Sequence, residues 1–153
     1  MASNNNQNII FRNLPIDPDD PNSATLEIAP IIYNPVNITA TSNVTLTVND
    51  ILGQMINRNA NGGNRSDTTP TASDLIVALG GANVPNGQSF QFIYRQSPVL
   101  PSDRIITLVG GNGVNLIGSG AVGGAQQKRF LGIVQSDRSI SLYNLGLVSY
   151  YSP

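Results

Sequence analysis

The side chains that most often carry enzymatic chemistry are nearly all missing from this 153-residue sequence. It contains no histidine and no cysteine, which excludes Ser-His and Cys-His nucleophilic catalysis and the common zinc ligands. Glu27 is the one glutamate, so a catalytic carboxylate pair would have to be assembled from aspartates. We therefore expect no enzymatic activity, no cofactor and no bound metal.

Three aspartates are close together in the segment IDPDDPN, at Asp17, Asp19 and Asp20. Their carboxylates could hold a calcium ion, but prolines separate them and the spacing is not that of an EF-hand loop. Aspartate and proline are also common turn residues. Turn preference favours a solvated turn over a metal site here.

Glycine-rich segments are the next candidates for a binding site. A dinucleotide or phosphate loop follows a strand and opens a helix, whereas strand-like residues follow the glycines in GGNGVNLIGSG and GAVGGAQ. These segments are predicted to be hairpin connections, including a tight hairpin at VGGNGVN. The loop RNANGGNRSDTTPTA has no Gly-Lys-Ser/Thr ending, and we expect no strand leading into it.

That loop is better explained as a structural connection with a defined conformation. Its charged residues are Arg58, Arg65 and Asp67, so an arginine–carboxylate pair could fix it, while Gly62 and Gly63 permit a chain reversal. Pro70 is predicted to preset the first turn of a following helix.

The amino-acid composition limits the kinds of partner that this chain could bind. Charged residues make up only 11% of the chain, the formal net charge is -1, and there is no concentrated basic face for nucleic acid. No apolar run is long enough to span a membrane, and the N-terminus lacks the pattern of a signal peptide. We expect a soluble protein made without a signal peptide.

The chain is predicted to form one domain over residues 9–153, preceded by a flexible polar arm at residues 1–8. A helix is predicted over about 48–57, where Val48, Ile51, Leu52, Met55 and Ile56 lie on one helical face and Thr47 with Asp50 has capping-box spacing. A second helix is predicted between Thr71 and Gly80.

Most of the remaining sequence has the pattern of strands separated by turn residues. The predicted strands are TLEIAPIIY, NVTLTV, SFQFIYR, RIITLVG, GVNLIG, KRFLGIVQS and SISLYNLG. Their spacing indicates an all-β fold, an antiparallel β-sandwich with one or two short helices.

Several of these strands are apolar on both faces. Six residues were selected as an oligomer interface or an inter-sheet core: Phe90, Phe92, Tyr94, Phe130, Ile133 and Val134. Because one opposing sheet covers only one face, the other face is predicted to be covered by another subunit.

From Ile51 to Gly146 the order of features resembles a β-rich C-terminal head module of structural proteins of large DNA viruses and phages. The residues that carry the resemblance are ILGQMINRNANGGNRSDTTPTASDLIVAL, GQSFQFIYR, ITLVGGNGVNLIGSG, KRFLGIVQS and ISLYNLG. The likeness is strongest to surface proteins of marseillevirus-like giant viruses.

The resemblance implies a compact sandwich of jelly-roll or TNF/C1q-like type that forms a homotrimer on the virion surface. It implies a non-enzymatic structural protein whose partners are its own copies and other capsid proteins, with no nucleic acid and no membrane insertion.

An attachment protein that binds host glycan or receptor is the alternative. Tyr143, Tyr150 and Tyr151 could form a sugar-binding surface, although packing of the last strand and tethering of the C-terminus is the favoured explanation of tyrosines there. Sequons at Asn37, Asn43 and Asn64 fit glycosylation, but a chain rich in asparagine and threonine contains such triplets by chance.

Overall fold

A computed structural model describes residues 34–59, 63–96 and 104–148 of the chain. The described residues form nine strands, two α-helices and one short 3-10 helix at Gly81–Asn83. The strands are β1 (Asn34–Ile38), β2 (Gln54–Arg58), β3 (Arg65–Thr68), β4 (Ser89–Gln96), β5 (Ile105–Val109), β6 (Val114–Ile117), β7 (Ala121–Gly123), β8 (Gln127–Ser136) and β9 (Ser139–Leu147), and the helices are α1 (Val48–Leu52) and α2 (Ala72–Leu79). The fold is β-rich, as the sequence predicted.

Six of the strands form one sheet in the order β1-β2-β4-β8-β9-β6. β4, β8 and β9 pair antiparallel, but β1 with β2, β2 with β4, and β6 with β9 pair parallel. The prediction of a purely antiparallel arrangement was therefore wrong. Parallel neighbours need crossover connections, and α1 and α2 both lie in such connections between strands.

A second sheet has three strands in the order β3-β5-β7, with β3 parallel to β5. The open edge of β3 is covered by the segment before α1, because Thr45 bridges to Thr68 and the Asn43 side chain accepts from the Ser66 amide at 3.0 Å. The strand predicted at NVTLTV is reduced to this single bridge.

The predicted tight hairpin at VGGNGVN is absent. β5 lies in the three-stranded sheet and β6 in the six-stranded sheet, so the glycines between them carry the chain from one sheet to the other. The GAVGGAQ segment makes a similar crossing between β7 and β8. Small residues at these points permit a sharp change of direction, and turn preference alone does not reveal which sheet the next strand joins.

The helix predicted over 48–57 stops at Leu52, and residues 54–58 are a strand instead. The capping box was predicted correctly: the Thr47 amide donates to Asp50 at 2.6 Å, and the Asp50 amide donates to the Thr47 hydroxyl at 3.2 Å. Gly53 then ends the helix. Ile56 satisfies the helical period and also the two-residue period of a strand, and pairing with β4 decides between them.

α2 agrees closely with its prediction. The Thr71 side chain caps it by accepting from the Asp74 amide at 3.1 Å, and Gly80 ends it with a φ of 138° that glycine adopts without strain. Pro70 lies one residue before the cap, so its predicted place in the first helical turn was wrong.

Residues from both sheets and both helices meet in one apolar core. Its buried members are Leu46, Ile51, Ile56, Ala72, Leu75, Ile76, Phe92, Tyr94, Ile106, Leu108, Val114, Val122, Phe130, Val134, Ile140 and Leu142. The rings of Phe92 and Phe130, a cross-strand pair of β4 and β8, stack with centroids 5.3 Å apart. Packing of this core fixes which face of each strand is turned away from it.

Candidate functional site

The most concentrated polar chemistry of the described residues is a buried cluster of Arg58, Asp67 and Tyr94. Arg58 and Asp67 are fully buried, and the guanidinium Nε donates to the Asp67 carboxylate at 2.6 Å. The Tyr94 hydroxyl donates to the same carboxylate oxygen at 2.5 Å. The three residues come from β2, β3 and β4, so the cluster joins the two sheets.

Every donor of the Arg58 guanidinium has an acceptor. Besides Asp67, it donates to the backbone carbonyls of Ala40, Ser42 and Asn59 at 2.6–2.8 Å. The second Asp67 oxygen accepts from Arg58 at 3.3 Å and from the Val44 amide at 3.0 Å. A buried ion pair is stable only when its remaining hydrogen-bonding capacity is used, and here it is.

All three side chains of the cluster are fully buried, so the cluster stabilises the fold and does not contact solvent. Burial, followed by the hydrogen bond to Asp67, raises the pKa of Tyr94 far above its ordinary value, so the hydroxyl stays protonated and donates. Because the arginine also binds the backbone of residues 40–42, the cluster fixes the segment between β1 and α1 onto the core.

The structure separates the other loop residues from this cluster. The Arg65 guanidinium donates to the Asn64 carbonyl at 3.1 Å, and Pro70 is buried beside the α2 cap. β2 does lead into the loop, contrary to the prediction, but β3 and not a helix follows it. Gly62 lies outside the described residues, as do the calcium candidates Asp17, Asp19 and Asp20.

Five of the six residues selected for an interface or a core face the core within one chain. Phe92, Tyr94, Phe130 and Val134 are buried there, and half-buried Phe90 packs against the same cluster. Phe90 lies opposite Gly132, and its ring covers the space that a side chain at Gly132 would need. Ile133 alone points to the opposite side of the sheet, where it is half-buried.

The side of the six-stranded sheet that faces away from the core, called the outer face below, is the second candidate site. The strand registers arrange its residues in rows that cross the strands. The rows are Asn37-Asn57-Arg95-Gln127, Met55-Ile93-Arg129, Gln91-Leu131-Tyr143-Ile117 and Ser89-Ile133-Ser141-Asn115, and β9 is irregular opposite Arg129, beside Leu145.

Apolar side chains and arginines dominate the centre of the outer face. Ile93 is only 8% exposed, Leu131 and Tyr143 are half-buried, and Leu145 is 51% exposed. Among its described residues the face carries two arginines and no carboxylate. Beside Leu145 there is a shallow depression, largely open to solvent, lined by Arg129, Leu145, Leu147 and Val148.

The polar side chains of the two candidate sites are arginine, aspartate, tyrosine, asparagine, glutamine and serine among the described residues. Within residues 34–59, 63–96 and 104–148, no group of three or more histidine, cysteine, aspartate or glutamate side chains could hold a metal. None of the described helices has the length and apolar character to cross a bilayer. The sites offer packing and hydrogen bonding, which are the means of assembly and recognition.

Sequence reasoning predicted a second apolar face on the late strands but missed β1 and β2, which extend it, and it missed Tyr94 as the third member of the buried cluster. The alternation of Ile56 and Arg58 with Met55 and Asn57 is the pattern that could have indicated β2. Tyr143 lies on the outer face, whereas Tyr150 and Tyr151 lie outside the described residues. Asn37, Asn43 and Asn64 are exposed, and the Asn64 side chain accepts from the Ile105 amide at 2.9 Å.

Comparisons of the chain with protein families, with curated proteins and with solved structures gave no match. The functional conclusion below is therefore drawn from the sequence and from the geometry of the two sites.

Proposed function

We propose that this chain is a non-enzymatic virion structural protein whose β-rich domain is a two-sheet sandwich head, assembled as a homotrimer at the particle surface. The observation that carries the proposal is the composition of the outer face: Met55, Ile93, Leu131, Tyr143 and Leu145 surround arginine, and no lysine or carboxylate lies among the described residues there. Subunit interfaces are enriched in aromatic residues, methionine and arginine and depleted in lysine and acidic residues.

The size of the outer face suits a stable interface. The strands of the sheet range from four residues in β6 to ten in β8, so at about 3.3 Å per residue and about 4.8 Å between strands the face covers roughly 650 Å². This footprint is comparable to the ~800 Å² that each partner buries in a standard interface. A face of this kind on a chain with few charges favours self-association.

The three-fold symmetry and the virion location rest on the resemblance of residues 51–146 to viral and phage head modules. Cyclic assembly buries the outer face of every subunit, and the resemblance selects three subunits over the commoner two. The buried cluster of Arg58, Asp67 and Tyr94 supports a sandwich head because it bonds the two sheets to each other.

A single substitution on the outer face tests the proposal. Leu131→Glu places a carboxylate in the apolar centre of the face and is expected to convert the trimer into a folded monomer. Thr107→Glu is the matched control, since Thr107 is a half-buried residue of β5 in the other sheet. Light scattering after size exclusion gives the mass, and circular dichroism reports the fold. A trimer that persists in a folded Leu131→Glu variant would contradict the proposal.

An attachment role is the second candidate, favoured by the depression beside Leu145. The depression is shallow, as a site for a surface-bound sugar would be, and Arg129 gives it a cationic group that suits a carboxylate-bearing sugar. Glycan-array binding by the purified trimer would establish attachment, whereas a trimer that binds no glycan favours a purely structural role.

A further inference from the structure

Arg129 occupies an unusual position in the middle of the outer face. It is paired with Ile93 in its row, lies beside Leu145, and is half-buried. Within the described part of the chain its guanidinium has neither a hydrogen-bond acceptor nor a carboxylate partner. A guanidinium that is partly removed from water with no counter-charge is unfavourable, and full coverage by an apolar surface would make it more so. A carboxylate on the surface that covers this face would supply both the acceptor and the counter-charge.

The outer face cannot supply that group to itself. Its described residues include no carboxylate, so a two-fold contact of the face with its own copy would leave Arg129 without a counter-charge. The covering surface on the second copy must be a different one, which makes the contact heterologous.

One other surface of the described chain carries exposed acidic and apolar side chains that would complement Arg129 and its neighbours. α1 and α2 contact each other, each has an aspartate in its first turn, Asp50 and Asp74, and neither has a basic residue in its last turn. Val77 on α2 is 68% exposed, the most exposed of the large apolar side chains described. We call α1 and α2, with Asp50, Asp74 and Val77, the acidic helix pair.

Asp74 is the better placed of the two aspartates. Asp50 is half-buried and its carboxylate accepts from the Thr47 amide at 2.6 Å. Asp74 is exposed, and one of its oxygens accepts from the Thr71 hydroxyl at 2.7 Å, which leaves the other without a described partner. The remaining exposed aspartate, Asp137, lies beside Arg138 in the β8–β9 turn, so its charge is locally balanced.

We propose that the outer face of one subunit docks onto the acidic helix pair of the next, with Arg129 against Asp74. This inference rests on the proposed homotrimer and specifies its interface. Because the two surfaces differ, each subunit uses both, and the repeated contact closes into a ring without any two-fold interface. Val77 then contacts the apolar residues that surround Arg129.

Charge reversal tests the pairing. Arg129→Glu and Asp74→Lys are each expected to raise the subunit dissociation constant at least about tenfold, the range found for close charge pairs at interfaces. The double variant Arg129→Glu with Asp74→Lys restores opposite charges and is expected to return within about threefold of the wild-type value. Arg138→Glu and Asp137→Lys are charge-reversal controls, because their side chains are 88% and 86% exposed in the β8–β9 turn and belong to neither α1 nor α2. Asp74→Asn, which removes the charge with little change of shape, replaces Asp74→Lys if the latter does not fold.

The outcomes separate this inference from the proposed function. Loss of association in both single variants and recovery in the double variant support the pairing. If the wild type is trimeric but the single variants associate normally, or the double variant does not recover, the pairing is wrong and the trimer stands. If the wild type is a monomer at every concentration, the proposed assembly itself is wrong.

Discussion

The substitution Tyr94→Phe removes one hydroxyl from the buried cluster and leaves the aromatic ring in the core. Tyr94 is fully buried, and its hydroxyl donates to the Asp67 carboxylate at 2.5 Å. The carboxylate keeps its other three donors: Arg58 Nε, Arg58 Nη2 and the Val44 amide. The variant therefore isolates one charge-assisted hydrogen bond and creates no cavity.

The expected loss follows from that geometry. A hydrogen bond to a charged group contributes about 1.5–3 kcal/mol to the free energy of unfolding. For a domain of this size each kcal/mol corresponds to roughly 2–4 °C in Tm, so Tyr94→Phe is expected to lower Tm by roughly 3–12 °C. Tyr143→Phe is the control, because the Tyr143 hydroxyl has no hydrogen-bond partner among the described residues, and its effect is expected within about 0.5 kcal/mol.

The raised pKa of Tyr94 also makes the free energy of unfolding depend on pH in the alkaline range. An ordinary tyrosine has a pKa of 10.0, and burial keeps Tyr94 protonated well above that in the folded chain. Above about pH 10 the unfolded chain therefore releases a proton that the folded chain retains, and stability falls by about 1.4 kcal/mol per pH unit. The stabilisation is complete below pH 10 and is lost as the pH rises.

Thermal unfolding of wild type, Tyr94→Phe and Tyr143→Phe at equal protein concentration, at neutral pH and again above pH 10, measures both effects. Tyr94→Phe is expected to be less stable at neutral pH and to lose less stability than wild type in alkali. Equal Tm values for all three proteins at neutral pH would refute the reasoning about the cluster.

Three further predictions concern the fold. Ile56→Asp is expected to abolish soluble expression because Ile56 is completely buried in β2, whereas Ile105→Asp, at a side chain of β5 that is 41% exposed, should leave expression unchanged; a soluble, folded Ile56→Asp protein would contradict the described core. Thr71→Ala removes the α2 cap and is expected to cost about 1 kcal/mol in denaturant unfolding, so an unchanged midpoint would count against that cap. Addition of EDTA is expected to leave Tm unchanged, and a fall of several degrees would reveal a structural metal.

The late strands could be predicted from the sequence because each is a continuous apolar run ended by turn residues. β4, β8 and β9 agree with SFQFIYR, KRFLGIVQS and SISLYNLG to within about two residues at each end, and both helix N-caps follow from the Thr-x-x-Asp spacing. These features depend on local periodicity and capping, which single-sequence reasoning captures.

The arrangement of the strands could not be predicted. The helical apolar spacing that begins at Val48 continues to Ile56, inside β2. Only the parallel pairing of β2 with β1 and β4 makes that part of the chain a strand. β3 is four polar residues, RSDT, that become a strand because Asp67 is bonded to Arg58 and Tyr94 inside the core. Likewise, the glycines around Gly111 indicate a turn but not that the chain changes sheets there. Such features depend on contacts between residues distant in sequence, which local patterns do not contain.

The sequence indicated which residues of the candidate sites are apolar, but only the structure shows on which side of the sheet each of them lies. Phe92, Phe130 and Val134 were correctly recognised as buried-type residues, but the core of a single chain accounts for them without a second subunit. The outer-face residues Ile93, Leu131 and Ile133 are the ones left for assembly.

The assembly state of the wild-type protein is the most direct test of the proposed function. Sedimentation equilibrium from high to low micromolar protein is expected to give one species of about three times the 16.2 kDa chain mass, persisting on dilution because an interface of this size and apolar character dissociates slowly. A single 16.2 kDa species that stays soluble across the same range would contradict both the interface on the outer face and the homotrimeric head.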